Sequence, residues 1–330
     1  MARKPRTPKA ATNELLNQIR FVGSVLKEQG SPSETHIILS NNWAVAFNGV
    51  LAAGTKISSS LFAAVNYHLF EKALAKCGEE YSLSVDNHAL VIKSNKFKAI
   101  VPCLDPTLIN TSGIDAPTHQ INDAFKKGLE ITGALAAENG QAIHYASILI
   151  NGQSLVSTDN GVLLIEYWHG CELPTNIAVP KSLVDPLIKT NKKLVGFGHS
   201  NNSVTFHFED ESFIKSQLFA EQWPSVDHLL SNECNPFETP RDLQEALNAV
   251  GPHSVDNLVY FDTDMLRSHP NDSVGASYSV KGLPRGPIFN IKQLDLMLKH
   301  AKQIDFFVQG GKMTYFFGEN CRGVVAGRVQ

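Results

Sequence analysis

Residues 204–218 read Val204-Thr205-Phe206-His207-Phe208-Glu209-Asp210-Glu211-Ser212-Phe213-Ile214-Lys215-Ser216-Gln217-Leu218. Val204, Phe206 and Phe208 alternate with other residues, the acidic run 209–211 makes a turn, and a second strand-like run starts at Phe213. Period-two alternation around a polar turn predicts an antiparallel hairpin with one face buried. The construction recurs. Met313-Thr-Tyr-Phe-Phe317 turns at Gly318-Glu-Asn320 into Gly323-Val-Val-Ala326. Tyr81-Ser-Leu83-Ser-Val85 leads through Asn87 to Leu90-Val-Ile92, and then to Phe97-Lys-Ala-Ile-Val101.

Each of these segments follows a helix-like stretch: Leu61 to Lys76, Lys181 to about Thr190, and Ile291 to Lys302. An earlier helix is predicted in each third of the chain. Asn13 caps one that places Leu15, Leu16, Ile19, Val22, Val25 and Leu26 on one side. A second lies near Ile121, with Ala124, Phe125, Leu129 and Ile131, and a third starts at Thr239-Pro240 and carries Leu243, Leu247 and Val250. The three starts lie about 110–120 residues apart, the usual size of a domain. The expectation is therefore an α+β chain of three tandem units, 13–116, 117–232 and 233–330. Each has two helices packed on antiparallel sheets, and a basic disordered tail, 1–12, precedes them.

Composition narrows the function. Of 330 residues 43% are hydrophobic and 18% charged, as in an ordinary soluble protein, and no apolar run is long enough to span a membrane. The basic stretch Met1 to Lys9 has no apolar run behind it, so it is no secretory signal. Cys77, Cys103, Cys171, Cys234 and Cys321 are odd in number and scattered, which reads as reduced thiols in the cytoplasm. A net charge of −3 argues against a uniformly basic surface but permits a local one.

Several segments resemble the bacterial beta sliding clamps, the DNA polymerase III beta subunits. Leu155-Val-Ser-Thr158-Asp159-Asn160-Gly161 is similar to the T-D-G hairpin of their middle domain, and Ile177-Ala-Val-Pro180-Lys181-Ser-Leu183 to the strand-proline-helix entry after it. Phe213 to Phe219, with Gln222-Trp223-Pro224-Ser-Val226-Asp227, resembles the F-P-D segment that closes that domain. Ile288-Phe-Asn290 to Leu298 resembles the approach to the final helix. The resemblance runs from about residue 13 to 330, and its divergence suits a phage-encoded member.

The resemblance implies three DNA-clamp domains per chain, half of a six-domain ring closed by a homodimer around double-stranded DNA. It further implies DNA polymerase and an ATP-driven clamp loader as partners, no cofactor or metal, no catalysis and no membrane. Inward Lys and Arg would attract phosphates without reading bases. His68, Lys72 and Lys76 form one polar stripe and Lys292, Lys299 and Lys302 another. The middle third offers Lys126 and Lys127, then Lys181, Lys189, Lys192 and Lys193, and Arg20 lies on the first helix. Each stripe taken alone is also what a solvated helix face looks like. By resemblance His144 and Tyr145 occupy a loop that touches DNA, with an ordinary strand pair as the other reading. A partner-peptide cleft between the second and third units would use Thr158, Gly161, Leu163, Pro236, Val324 and Ala326. The dimer contact would use Phe97, Ala99 and Ile100, which read equally as core residues of an edge strand.

The enzymatic signals are weak. Gly310-Gly311-Lys312-Met313-Thr314 has Met313 where a phosphate loop needs Ser or Thr, and Gly196-Phe-Gly198 lacks a third glycine. The pairs His199 with His207 and His169 with Cys171 have no further ligands at metal-site spacing. Asp262-Thr-Asp264 supplies the one alternative, a metal-dependent nuclease or transferase; otherwise the pair is a polar strand end.

Overall fold

A computed structural model describes residues 11–329 apart from 79, 139–141, 160, 161 and 272. Helix α1 (Ala11–Gly23) and the single turn α2 (Pro32–Thr35) precede four strands, β1 (His36–Ser40), β2 (Trp43–Phe47), β3 (Leu51–Lys56) and β4 (Ala63–Asn66). Helix α3 (Tyr67–Leu74) then leads into β5 (Ser82–Asp86), β6 (Ala89–Ser94) and β7 (Phe97–Leu104). After β8 (His119–Gln120) the order repeats: α4 (Asp123–Gly133), the turn α5 (Ile143–Ala146), then β9 (Ser147–Asn151), β10 (Ser154–Thr158), β11 (Leu163–Trp168) and β12 (Ile177–Pro180). Helix α6 (Lys181–Lys189) introduces β13 (Leu194–His199), β14 (Ser203–Phe208) and β15 (Phe213–Gln217). A third pass starts with the turn α7 (Asp227–Leu230), the short strand β16 (Phe237–Glu238) and helix α8 (Leu243–Val250). It continues with β17 (Leu258–Asp262), β18 (Met265–Arg267), β19 (Ser277–Ser279), β20 (Pro287–Asn290) and helix α9 (Ile291–Leu298). It closes with β21 (Gln303–Val308), β22 (Met313–Gly318), β23 (Cys321–Ala326) and β24 (Arg328–Val329).

The order helix, four strands, helix, three strands thus occurs three times. Its boundaries correct several expectations. Helix α1 begins at Ala11, so Asn13 lies within it and does not cap it. Helix α3 starts only at Tyr67, capped by Asn66, whose side chain accepts the Leu69 amide; residues 63–66 before it are extended. Thr239-Pro240 does not open the third early helix: α8 starts at Leu243, and the Thr239 amide donates to Lys302 O.

The chain divides into two compact bodies. One holds the residues up to Lys126 together with Ser182–Ala220; the other holds Lys127–Lys181 and Glu221–Gln330. The first body contains one 11-stranded sheet, ordered β5-β6-β7-β4-β1-β2-β3-β15-β14-β13-β8. Within it the hairpin β14–β15 buries Val204, Phe206 and Phe208, and Glu211 turns the chain at φ 66°. Helix α1 packs on α3, β2 and β3, burying Ile19 and Val22 against a surface that includes Phe70 and Leu74. Each fully buried side chain of this kind contributes about 1.5–3 kcal/mol. Strand β15 pairs antiparallel with β3, and Phe213 lies opposite Gly54. A Cβ at Gly54 would sit 2.4 Å from the Phe213 ring, so only glycine lets that ring lie on the strand.

The second body has an eight-stranded sheet, β12-β9-β10-β11-β23-β22-β21-β16, and a five-stranded one, β19-β18-β17-β20-β24. Leu243, Ala246, Leu247 and Val250 of α8 fall at positions i, i+3, i+4 and i+7, and all are buried. They share a core with Leu294 and Met297 of α9 and with Phe261, Phe289 and Phe306, whose ring centroids lie 5.1–6.0 Å apart. Strand β23 pairs antiparallel with β11 as β15 pairs with β3. Gly323 stands at this second join, where a Cβ would come within 2.3 Å of the Phe316 ring.

Candidate functional site

An apolar pocket of about 220 Å³ opens on one face of the eight-stranded sheet. Cross-strand partners share a face of a sheet, and Thr158 of β10 lies opposite Leu164 of β11, which lies opposite Val324 of β23. Met313 of β22 and Ala326 of β23 form the next such pair. These five side chains make the floor, and the segment Trp223–Leu229 with His144 makes the wall. The wall is held in place. The buried Trp223 donates Nε1–H to Ser147 Oγ at 2.8 Å, and Ser147 Oγ donates to Ile143 O at 2.5 Å. The His144 ring meets the Trp223 ring nearly edge-on, at 6.1 Å and 75°. Small-molecule sites are usually roughly 300–1,000 Å³. A cavity of about 220 Å³ lies below that range and has room for one or two apolar side chains.

Of the residues expected at a partner cleft, Thr158, Val324 and Ala326 line this pocket. Leu163 does not. It is fully buried in the core that holds α8 and α9, because it stands opposite Val325 on the other face of the sheet. Pro236 is also absent from the lining: it lies in the segment leading to β16. Gly161 lies outside the described residues. Sequence reasoning missed Leu164, Met313 and the Trp223 segment. The parity of the β10–β11 hairpin was the signal that selects Leu164 over Leu163. His144 lines the pocket, in the short helical turn α5 and not in a strand, with the Tyr145 ring beside it at 3.9 Å.

The basic residues fall into two groups. Lys72, Lys76, Lys127, Lys292 and Lys302 are exposed. Lys76 lies beyond the end of α3, which closes at Leu74, so the stripe with His68 and Lys72 is not wholly helical. Arg20, Lys189 and Lys299 are exposed and hold Glu71, Asp185 and Asp295 at 2.7, 2.8 and 2.7 Å. Exposed pairs contribute only about 0.2–1 kcal/mol, so these cations can exchange partner for a phosphate. Lys126 and Lys192 are committed inside the first body. Lys126 Nζ donates to Thr190 O at 2.6 Å; Lys192 pairs with Asp210 and lies 4.5 Å from the Phe21 ring centroid.

The chain superposes over nearly its whole length on solved bacterial clamps. It matches the Helicobacter pylori beta clamp bound to a DNA ligase peptide at TM-score 0.80 and 13% identity, covering 97% of this chain and 99% of that one. A putative DNA polymerase III beta subunit from Eubacterium rectale matches at 0.79 and 13%, covering 96% and 97%. The Pseudomonas aeruginosa sliding clamp bound to griselimycin matches at 0.78 and 14%, covering 97% and 98%. The fold is that of a bacterial beta sliding clamp. No protein-family model and no curated protein sequence matches the chain.

Among the described residues the strands that end the three sheets, β5, β8, β12, β16, β19 and β24, each have an open edge, and so does part of β7. Strand β7 pairs with β6 over 97–102 but with β4 only at Cys103 and Leu104, which leaves the far edge of 97–102 without a partner strand. Strand β19 ends the five-stranded sheet. Phe97, Ala99 and Ile100 do not share a face: Ile100 is 58% exposed, whereas Phe97 and Ala99 point the other way and are half-buried. Period two dictates the split. Asp262 is engaged by Arg267 at 3.0 Å and Arg285 at 3.6 Å, and Asp264 accepts the Gly282 amide at 2.6 Å. Both carboxylates therefore serve the β17–β18 turn, and nothing supports the nuclease or transferase alternative. Among the described residues no group of three or more His, Cys, Asp or Glu is placed to hold a metal, and no helix is long and apolar enough to cross a membrane. The five cysteines are free thiols, and burial raises the pKa of Cys77, Cys103, Cys234 and Cys321.

Proposed function

We propose that this chain is a DNA polymerase processivity factor: a homodimeric sliding clamp that encircles double-stranded DNA, works in the cytoplasm and performs no chemistry. Its three passes of the element order are three clamp domains, bounded near 13–116, 117–232 and 233–330. The observation that carries the reading is the rule by which sheets join. Twice, the last strand of a three-strand set adds to the third strand of a four-strand set: β15 to β3, and β23 to β11. By the same rule the open edge of β7 is the counterpart of β15 and β23. The open edge of β19 is the free end of the last four-strand set. Pairing β7 of one copy with β19 of a second copy satisfies both edges, and in a two-fold dimer it does so twice, closing the assembly.

Phosphates would be met by Arg20, Lys72, Lys76, Lys127, Lys189, Lys292, Lys299 and Lys302, in weak and salt-sensitive contacts. The apolar pocket would take a peptide from a DNA polymerase or from an ATP-driven clamp loader, seated by one or two side-chain anchors. The test is retention on DNA after loading with a cognate loader and ATP. The protein should co-elute with a nicked circle and leave once the circle is cut, whereas equal retention on circle and linear DNA would refute topological holding.

A further inference from the structure

Among the described residues the apolar pocket carries two titratable side chains, His144 and His228, and no carboxylate, lysine or arginine. They belong to different elements, α5 and α7, which flank the Trp223 wall. The strands packed on α5 carry no charge: α5 packs on β9, β10 and β12, none of which bears an ionisable side chain. The nearest acidic segment is that of the exposed Glu138, whose neighbour Ala137 donates its amide to Tyr145 O. The polar neighbours of His144 are Tyr145 and the indole of Trp223. Glu221 and Asp227, on the wall segment, are exposed and do not line the pocket. The turn α7 packs on β23, whose Arg322 is already held by Glu166 at 2.8 Å and donates to Leu230 O at 3.1 Å. Histidine changes charge between about pH 5 and 8. The only ionisable side chains lining the groove, among the described residues, are thus two imidazoles.

We infer that this pocket selects peptides with a carboxylate beside the apolar anchor, and that His144 and His228 are the residues that read it. The inference rests on the pocket being the peptide site. An imidazolium near a carboxylate in partly solvated surroundings strengthens binding modestly, so the pair should give about a three- to tenfold gain on acidification. A neutral peptide of the same shape should show no such gain.

The experiment measures anisotropy of two rhodamine-labelled pentapeptides, Ser-Glu-Leu-Leu-Phe and Ser-Gln-Leu-Leu-Phe, at about pH 6 and about pH 8. Wild-type protein is compared with the His144→Gln/His228→Gln double variant and with Val324→Asp, each checked for an unchanged melting transition. The expected result is tighter binding of the glutamate peptide at the lower pH, no change for the glutamine peptide, and loss of the gain in the double variant. A gain that both peptides share, or that survives in the double variant, overturns the histidine assignment while Val324→Asp still abolishes binding and keeps the pocket. Binding indifferent to Val324→Asp, or no binding of either peptide, overturns both.

Discussion

The indole N–H of Trp223 donates to the hydroxyl of Ser147 at 2.8 Å, with both side chains buried. This bond fixes the pocket wall to the first strand of the eight-stranded sheet's β9–β10 hairpin. Trp223→Phe removes the donor but keeps most of the ring, and should cost about 0.5–1.5 kcal/mol. Trp223→Ala also empties the site and should cost about 3–5 kcal/mol. Urea midpoints measure both, and equal losses would show that the hydrogen bond, not packing, dominates.

Glu166 is held by Ser154 Oγ at 2.9 Å and Arg322 Nε at 2.8 Å, and the Arg322 guanidinium also lies 5.0 Å from the Trp168 ring. The Glu166 side chain is 10% exposed and that of Arg322 31%. Arg322→Ala strands a carboxylate in poorly solvated surroundings. The cost should be about 2–3 kcal/mol, below that of a fully buried pair because the guanidinium is partly hydrated. Adding Glu166→Gln should recover part of the loss in a double-mutant cycle.

His169 is buried, and its Nδ1 accepts the Cys171 amide at 3.0 Å, which requires a neutral ring. Burial pushes its pKa down from 6.5 to about 4. Unfolded chains therefore bind a proton near pH 6.5 that the folded protein takes up only near pH 4. Stability is complete above the unfolded pKa and falls as the pH drops between these values, by about 1.4 kcal/mol per pH unit. His169→Gln should flatten that limb of the stability curve, and an unchanged slope would place the acid sensitivity elsewhere.

Neutralising Lys72, Lys76 and Lys127 together should make log affinity less steep against log salt, by about one for each phosphate that the variant leaves without a cation. Their exposure predicts unchanged stability. Lys192→Ala should behave oppositely, because that ammonium pairs with Asp210 beside Phe21. It should destabilise the fold more than it weakens DNA binding, as thermal melts and filter binding would reveal.

The alternation of Phe206 and Phe208, and of Tyr315 and Phe317, made the hairpins legible from sequence, since a period of two survives divergence. Positions set by tertiary packing were not. Residues 63–66 form a strand because β1 and β7 lie on either side of them, although Leu61 to Lys76 reads locally as one helix. Leu163 and Leu164 are identical in chemistry, and only their partners Val325 and Val324 decide which faces the pocket. The place of His144 at the pocket was hidden for a similar reason: its neighbour Trp223 is distant in sequence and is brought there by the bond to Ser147 and by packing in a core that includes Ile143 and Leu149.

Closure of two chains through β7 and β19 underlies the proposed ring, and the mass in solution decides whether it occurs. Sedimentation equilibrium at micromolar concentration should give a single species of about twice the 36.1 kDa chain mass. Replacing Ile100 with Asp, on the exposed face beside the open edge, should shift that species toward one chain mass. A wild-type protein that sediments as a monomer or a trimer would refute closure by two chains.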